Sequence, residues 1–73
     1  MTKILVGNIC KNEIINKSVL EECTNFKHAK VVLEDTRTFL EKTCKELINT
    51  MFEEHDKLIV MFNTGITRVY LIK

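Results

Sequence analysis

Few residues in this sequence interrupt regular secondary structure. Proline is absent, and glycine occurs only at Gly7 and Gly65 among 73 residues. Because these two residue types most often end helices and strands, their scarcity predicts a chain that is mostly helix and strand. Long apolar runs are also missing. None approaches the roughly 20 residues that cross a membrane, and the run Ile4 to Val6 is too short for a signal peptide. These absences predict a cytoplasmic protein that does not enter a membrane.

Charge of one sign is not in excess either. The chain has 11 lysines and arginines against 10 acidic residues, a net charge of +1, and only two of the basic residues are arginine. Mixed charge of this kind gives no strong electrostatic preference for nucleic acid or anionic lipid. Lysine, isoleucine and asparagine, which have AT-rich codons, supply 23 of the 73 residues against one alanine. This bias predicts an AT-rich source genome.

Common metal-binding and redox motifs are missing as well. Cysteine occurs at Cys10, Cys23 and Cys44, and histidine at His28 and His55. None of these residues has the C-x-x-C or H-x-x-x-H spacing of familiar metal sites. An odd number of cysteines leaves at least one thiol unpaired in a monomer, as is usual in the reducing cytosol. We therefore predict reduced thiols, no metal and no cofactor.

Cys10 follows the first predicted strand. Its position resembles that of the nucleophilic cysteine in low-molecular-weight tyrosine phosphatases and phosphotransferase IIB domains. The phosphatase loop needs an arginine six residues later, where this chain has Asn16, and no glycine or serine follows before Ser18. No chain of backbone N–H groups aimed at a phosphate is therefore indicated. The acidic residues fall on predicted polar faces or in turns. We predict a protein without catalytic activity, with a thiol enzyme at Cys10 as the alternative.

Hydrophobic spacing predicts six elements in the order strand, helix, strand, helix, strand, strand. The strongest feature is a C-terminal β-hairpin, in which the wholly apolar strand 58–62 is joined to strand 66–72 by Asn63-Thr64-Gly65. The pair Gly7-Asn8 is interpreted as a bulge in the first strand, with the turn of a small hairpin as the alternative. The other predicted elements are strand 3–9, helix 13–23, strand 28–33 and a long amphipathic helix from 35 or 36 to 52.

These elements predict a small α/β (α+β) fold in a single domain, residues 1–73, with a four-stranded mixed sheet and two helices. Strands joined through helices are usually parallel, whereas the last two strands should be antiparallel. Placing the two most apolar strands inside the sheet gives the order 2-1-3-4, with one helix on each face. The alternative order 1-2-3-4 places both helices on one face and leaves the other bare.

Either order leaves apolar sheet uncovered. Ile59, Met61, Val69 and Leu71 alternate onto one side of the hairpin, and its other side is also mainly apolar. A soluble monomer seldom exposes a contiguous apolar patch above a few hundred Å². We therefore predict that another chain covers part of the hairpin, either by stacking on the sheet face or by pairing with an edge strand 66–72. The alternative is that the helices and chain ends cover the sheet within a monomer.

The predicted function is non-catalytic protein binding, with a second copy of the chain or a larger protein as partner. Small size and AT-rich coding favour an inhibitor of a host enzyme encoded by a phage or mobile element, with a small bacterial adaptor as an alternative. A dimeric nucleic-acid-binding regulator is the runner-up. The predicted protein contacts are Met61, Thr67, Arg68, Val69, Tyr70 and Leu71 on the hairpin, and Glu53, Glu54 and Asp56 in an acidic turn. The predicted nucleic-acid contacts are Lys27, His28, Lys30, Arg37 and Lys42.

Overall fold

The first two strands are joined by the tightest common type of hairpin turn. Strand β1 (Thr2–Cys10) and strand β2 (Glu13–Cys23) are separated only by Lys11 and Asn12, whose φ angles are 52° and 66°. Two successive positive φ angles are the geometry of a type I′ turn, which matches the twist of antiparallel strands. The structure is a computed structural model that describes residues 2–73.

All five strands belong to one antiparallel sheet, in the order β2-β1-β5-β4-β3. Strand β3 (Ile48–Glu53) pairs with β4 (Lys57–Phe62), and β4 continues through a turn into β5 (Thr67–Ile72). β5 then pairs with β1 on its other side. The last strand therefore lies at the centre of the sheet, and β2 and β3 form its two edges.

One helix, α1 (Phe26–Thr43), connects the two edge strands and packs across one face of the sheet. Asn25 caps it, because its side-chain oxygen accepts a hydrogen bond of 2.8 Å from the His28 N–H. A short 3₁₀ turn, Lys45–Leu47, follows the helix and leads into β3. Within residues 2–73, no helix is long and apolar enough to cross a membrane. The helix residues that are buried against the sheet are Ala29, Leu33 and Leu40.

The hydrophobic core lies between α1 and the sheet face beneath it. Each fully buried aliphatic side chain there contributes about 1.5–3 kcal/mol relative to exposure. The core therefore supplies most of the stability from one side of the sheet only. The strand residues that complete this core are Ile4, Cys23, Leu58, Val60, Tyr70 and Ile72.

The predicted four-stranded mixed sheet with two helices is wrong. The sheet has five strands, all antiparallel, and α1 is the one α-helix in residues 2–73. Tight turns join most consecutive strands, and a tight turn forces antiparallel pairing. Both predicted strand orders, 2-1-3-4 and 1-2-3-4, are wrong for the same reason. The C-terminal hairpin is present, and Gly65 in its turn has a φ of 93°.

The predicted helix 13–23 is the edge strand β2. Its pairing with β1 shifts register twice, and at each shift β2 has one more residue than β1. An extra residue changes which face the following side chains occupy. As a result Ile15 and Cys23 face the helix side of the sheet and Val19 faces the other side, so the apolar spacing that predicted a helix does not mark one buried face. Gly7 and Asn8 lie within the single strand β1, opposite one of these shifts, so the alternative that this pair forms the turn of a small hairpin is wrong.

The predicted strand 28–33 is part of α1. Ala29 and Leu33 fit an alternating pattern, but they are also four residues apart, which places both on the buried side of a helix. Val31, between them, is 51% exposed. The predicted helix to residue 52 instead ends at Thr43, and the apolar residue Met51 belongs to β3, where it packs against the core.

Candidate binding face

The sheet surface opposite α1 is named the open face. Side chains alternate between the two faces of a strand, and the strand register places those of the open face in rows. The central row consists of Gly7 in β1, Val69 in β5, Ile59 in β4 and Phe52 in β3. The apolar side chains of the open face are Leu5, Ile9, Ile14, Val19, Phe52, Ile59, Met61, Val69 and Leu71.

The side chains of the open face are buried at its centre and exposed toward its edges. Val69 is only 1% exposed because its neighbours surround it, whereas Phe52 and Met61 are each 40% exposed and Val19 is 50% exposed. Five strands at about 4.8 Å spacing and about 20 Å in length present roughly 500 Å² of projected surface. This area includes polar residues such as Lys57 and Thr67 as well as the apolar side chains. Exposed apolar patches of a few hundred Å² are often functional.

Three lysines, Lys3, Lys57 and Lys73, gather at one end of the open face, which is named the lysine end. Lys3 and Lys73 are directly opposed on neighbouring chain segments, and their backbones exchange hydrogen bonds of 2.9 and 2.8 Å. Lys57 lies in the next row of the open face, directly opposite Leu71. Its Nζ is 3.6 Å from a carboxylate oxygen of Glu54. Glu22 lies opposite Lys3 on β2. Because directly opposed like charges repel, an acidic group from a partner would stabilise this end.

The predicted hairpin contacts divide between the two faces of the sheet. Arg68 and Tyr70 lie on the helix side, where Tyr70 is buried and the Arg68 guanidinium is 5.5 Å from the centre of the Phe62 ring. These two side chains do not face a partner bound to the open face. The predicted contacts that lie on the open face are Met61, Thr67, Val69 and Leu71.

The sheet order excludes pairing of strand 66–72 with another chain through a free edge. β5 is hydrogen-bonded to β1 on one side and to β4 on the other. Its backbone N–H and C=O groups are therefore used within the sheet. The prediction that this strand is an edge is wrong, and of the two geometries predicted for the hairpin only stacking on the open face remains.

Glu53, a predicted protein contact, is engaged inside the molecule. One carboxylate oxygen accepts a 2.9 Å hydrogen bond from Lys30 Nζ, and the other lies 3.5 Å from an Arg37 nitrogen. The side chain is only 15% exposed. Glu54 is close to Lys57, and Asp56 is exposed in the turn between β3 and β4. The acidic turn therefore presents Glu54 and Asp56 to solvent, whereas Glu53 joins β3 to the helix.

The predicted nucleic-acid contacts all lie on α1, but they do not form one basic surface. Lys30 and Arg37 are seven residues apart on one side of the helix, and both pair with Glu53. Arg37 also pairs with Glu41 at 3.2 Å. Helical periodicity places His28 and Lys42 on other sides of α1 than Lys30 and Arg37. Intramolecular carboxylates therefore offset much of the charge on which the nucleic-acid prediction depends.

Three potential metal ligands meet where β2 ends and α1 begins. One ligand atom each from Glu21, Cys23 and His28 lies within 4.8 Å of the others. Burial raises the pKa of the Cys23 thiol, and the neighbouring Glu21 carboxylate raises that pKa further. Cys23 and His28 were candidate ligands from the sequence, whereas Glu21 was not. The predicted helix around Cys23 and the predicted strand around His28 gave no reason to bring the three side chains together.

A second apolar surface lies on the helix side, in an open groove between α1 and β2. Phe39 and Leu20 project into it, and Phe39 is 62% exposed. Charges of both signs, from Arg68 and Asp35, stand among its lining residues.

Comparisons with known proteins identify no relative. No protein-family model matches the chain, and no curated protein and no solved structure is detectably similar to it. A functional conclusion therefore depends on the chemistry of the surfaces described above.

Proposed function

We propose that this protein is a non-catalytic binding domain whose open face binds another protein. The observation that supports the proposal is a sheet with its core on one side only. α1 covers one face, and all five strands contribute apolar side chains to the other. Burying such surface against a partner is favourable by about 25 cal/mol per Å².

Charge favours a different protein over a second copy of this chain. The lysine end places three cations beside an apolar surface, and complementary acidic groups on a partner would fix its orientation. A second copy offers few acids for that role, because Glu22 and Glu54 already lie beside these lysines. The partner that fits has an apolar patch with acidic residues at one side.

The side-chain types of the open face favour a protein partner over nucleic acid. Sheets that bind single-stranded nucleic acid stack bases on aromatic rings or guanidinium planes. Among residues 2–73, Phe52 is the single aromatic residue of the open face, and it lies on an edge strand. The face is otherwise aliphatic, which suits apolar protein side chains and offers little to bases.

The size of the open face sets the expected affinity. A partner that covers all of it buries roughly 500 Å² on this chain, compared with about 800 Å² per partner in a standard interface. We therefore expect a transient complex with a dissociation constant in the micromolar range. If the partner is a host enzyme, formation of such a complex would inhibit it. The phage origin and the cytosolic location stay predictions, from codon usage and unpaired thiols.

The proposal is tested with one variant on each side of the molecule. Phe52→Glu places a charge on the open face, and Val31→Glu places one on the solvent side of α1, where the native residue is also exposed. We expect a protein from a bacterial lysate to be retained by the wild type and by Val31→Glu but not by Phe52→Glu, with circular dichroism confirming that both variants fold. Equal capture by all three proteins would contradict the proposal.

Self-association is tested separately by light scattering during size exclusion at high micromolar concentration. We expect a monomer, since the lysine end disfavours a second copy. A dimer that Phe52→Glu dissociates and Val31→Glu does not would show that the partner is this chain itself.

A further inference from the structure

We propose that Glu21, Cys23 and His28 form a zinc site that fastens the end of β2 to the start of α1. The three ligand atoms already lie within 4.8 Å of one another in the folded chain. The site lies on the helix side of the sheet, so it is separate from the open face. Its existence does not depend on the proposed protein-binding function.

The local sequence explains why these side chains meet. Glu21 and Cys23 are two residues apart in β2, so both point to the same side of the strand. Asn25 then ends the extended segment and caps α1, which places His28 in the first turn of the helix. The chain thereby reverses within five residues and returns the imidazole to the carboxylate and the thiol.

Two hydrogen bonds hold His28 at this junction. Its backbone N–H donates to the Asn25 side chain at 2.8 Å, and its Nδ1 accepts from the Thr24 N–H at 3.3 Å. The second bond is long for this type, so it holds the ring only weakly. The backbone anchor on Asn25 keeps the main chain of His28 in place while its side chain turns to a metal.

The donor set determines the kind of metal. Thiolate sulfur, imidazole nitrogen and carboxylate oxygen are the three ligand types that zinc uses in proteins, whereas calcium and magnesium select oxygen alone. Zinc bonds of about 2.0–2.3 Å place tetrahedral ligand atoms about 3.3–3.8 Å apart. The present separations of up to 4.8 Å therefore close by about 1 Å on binding.

The burial of the ligands fits this closure. Cys23 is 2% exposed and fixed in the core, while Glu21 and His28 are exposed and have room to move toward it. Metal would therefore enter from the solvent side. Three protein ligands leave a fourth position for water. Binding would join the edge strand to the helix and raise the unfolding temperature of the folded chain.

The proposal is tested with cobalt as a spectroscopic substitute for zinc. Reduced protein titrated with Co²⁺ should develop a near-ultraviolet thiolate-to-cobalt band at one equivalent, and Zn²⁺ should displace it. His28→Gln and Glu21→Gln should each weaken zinc binding by about tenfold or more, and Cys23→Ser should abolish the band. The matched controls are His55→Gln, Cys10→Ser and Cys44→Ser, which should bind metal as the wild type does.

Each result decides the question. His28→Gln changes an exposed side chain, so it tests the site even where Cys23→Ser weakens the core. Absence of the band in the wild type would overturn the proposal. An unchanged metal affinity in His28→Gln, or a band that disappears in Cys44→Ser, would show that the metal binds elsewhere.

Discussion

A methyl group at position 7 would crowd the sheet. A Cβ built on Gly7 lies 2.8 Å from Ile14 Cγ2, 3.0 Å from the Ile15 carbonyl oxygen and 3.2 Å from Lys17 Cγ. The Ile14 and Lys17 side chains can rotate away, whereas the Ile15 oxygen moves only with the backbone of β2. Overpacking of this kind costs about 1–3 kcal/mol, against about 0.4–1 kcal/mol gained by restricting the unfolded chain. We expect Gly7→Ala to lower the free energy of unfolding by about 1–2 kcal/mol.

That loss is large for a chain of this length, whose total stability should be about 4–11 kcal/mol. Urea denaturation followed by circular dichroism would measure it. Ile14→Ala removes the nearest atom, so the double variant should lose less than the sum of the two single changes. Gly65→Ala is the matched control, because position 65 has a φ of 93° and no atom within 4 Å of a new Cβ. Its cost arises from backbone strain, and Ile14→Ala should not reduce it. If Gly7→Ala were as stable as the wild type, β2 would not lie against β1 in the register described.

Three further predictions concern the core, an ion pair and a thiol. Leu33→Ala, on the buried side of α1, should lower the free energy of unfolding by about 2–5 kcal/mol in urea titration, and a loss below about 1 kcal/mol would contradict the described core. Glu53→Gln should cost about 1–2 kcal/mol by loss of its charge toward two cationic partners, whereas the exposed Glu41→Gln should cost under about 0.5 kcal/mol; equal costs would show that the partly buried ion pairs of Glu53 add no stability. Because its pKa is raised, the Cys23 thiol should react with iodoacetamide far more slowly than exposed Cys10 at about pH 8, as peptide mass mapping would show. Equal rates would show that Cys23 is accessible.

The C-terminal hairpin was predictable because its signals are local. Strand 58–62 is wholly apolar, and Gly65 supplies a positive φ where a turn needs one. Neither signal depends on the rest of the fold. The same is true of β1, whose β-prone residues Ile4, Leu5 and Val6 predict a strand without reference to its neighbours.

The middle of the chain was not predictable from periodicity alone. In β2 the apolar residues Ile15 and Val19 are four residues apart, as in a helix, but lie on opposite faces of the sheet. In α1 the spacing of Ala29 and Leu33 fits both a strand and a helix. Lys11 and Asn12 could not be recognised as a turn, because lysine rarely adopts a positive φ. Local propensity was therefore overridden by pairing with a neighbouring strand.

The candidate site was predictable in part. Alternation along the hairpin identified Met61, Val69 and Leu71, which lie on the open face. Leu5 and Phe52 were missed, because their place on the same face depends on strand order. The ion pairs of Glu53 were missed for the same reason, since they join residues that are far apart in sequence.

The central position of β5 has a consequence for synthesis on the ribosome. The hairpin of β1 with β2 and the hairpin of β3 with β4 share no strand pairing until β5 lies between them. Residues near position 5 can pair with β5 only after residues near position 71 have been synthesised. This is the largest sequence separation between paired strands in the sheet. Contacts so distant along the chain form slowly. Until β5 has been synthesised, the nascent chain therefore holds two half-sheets whose inner edges have unpaired backbone groups, and such edges are prone to aggregate.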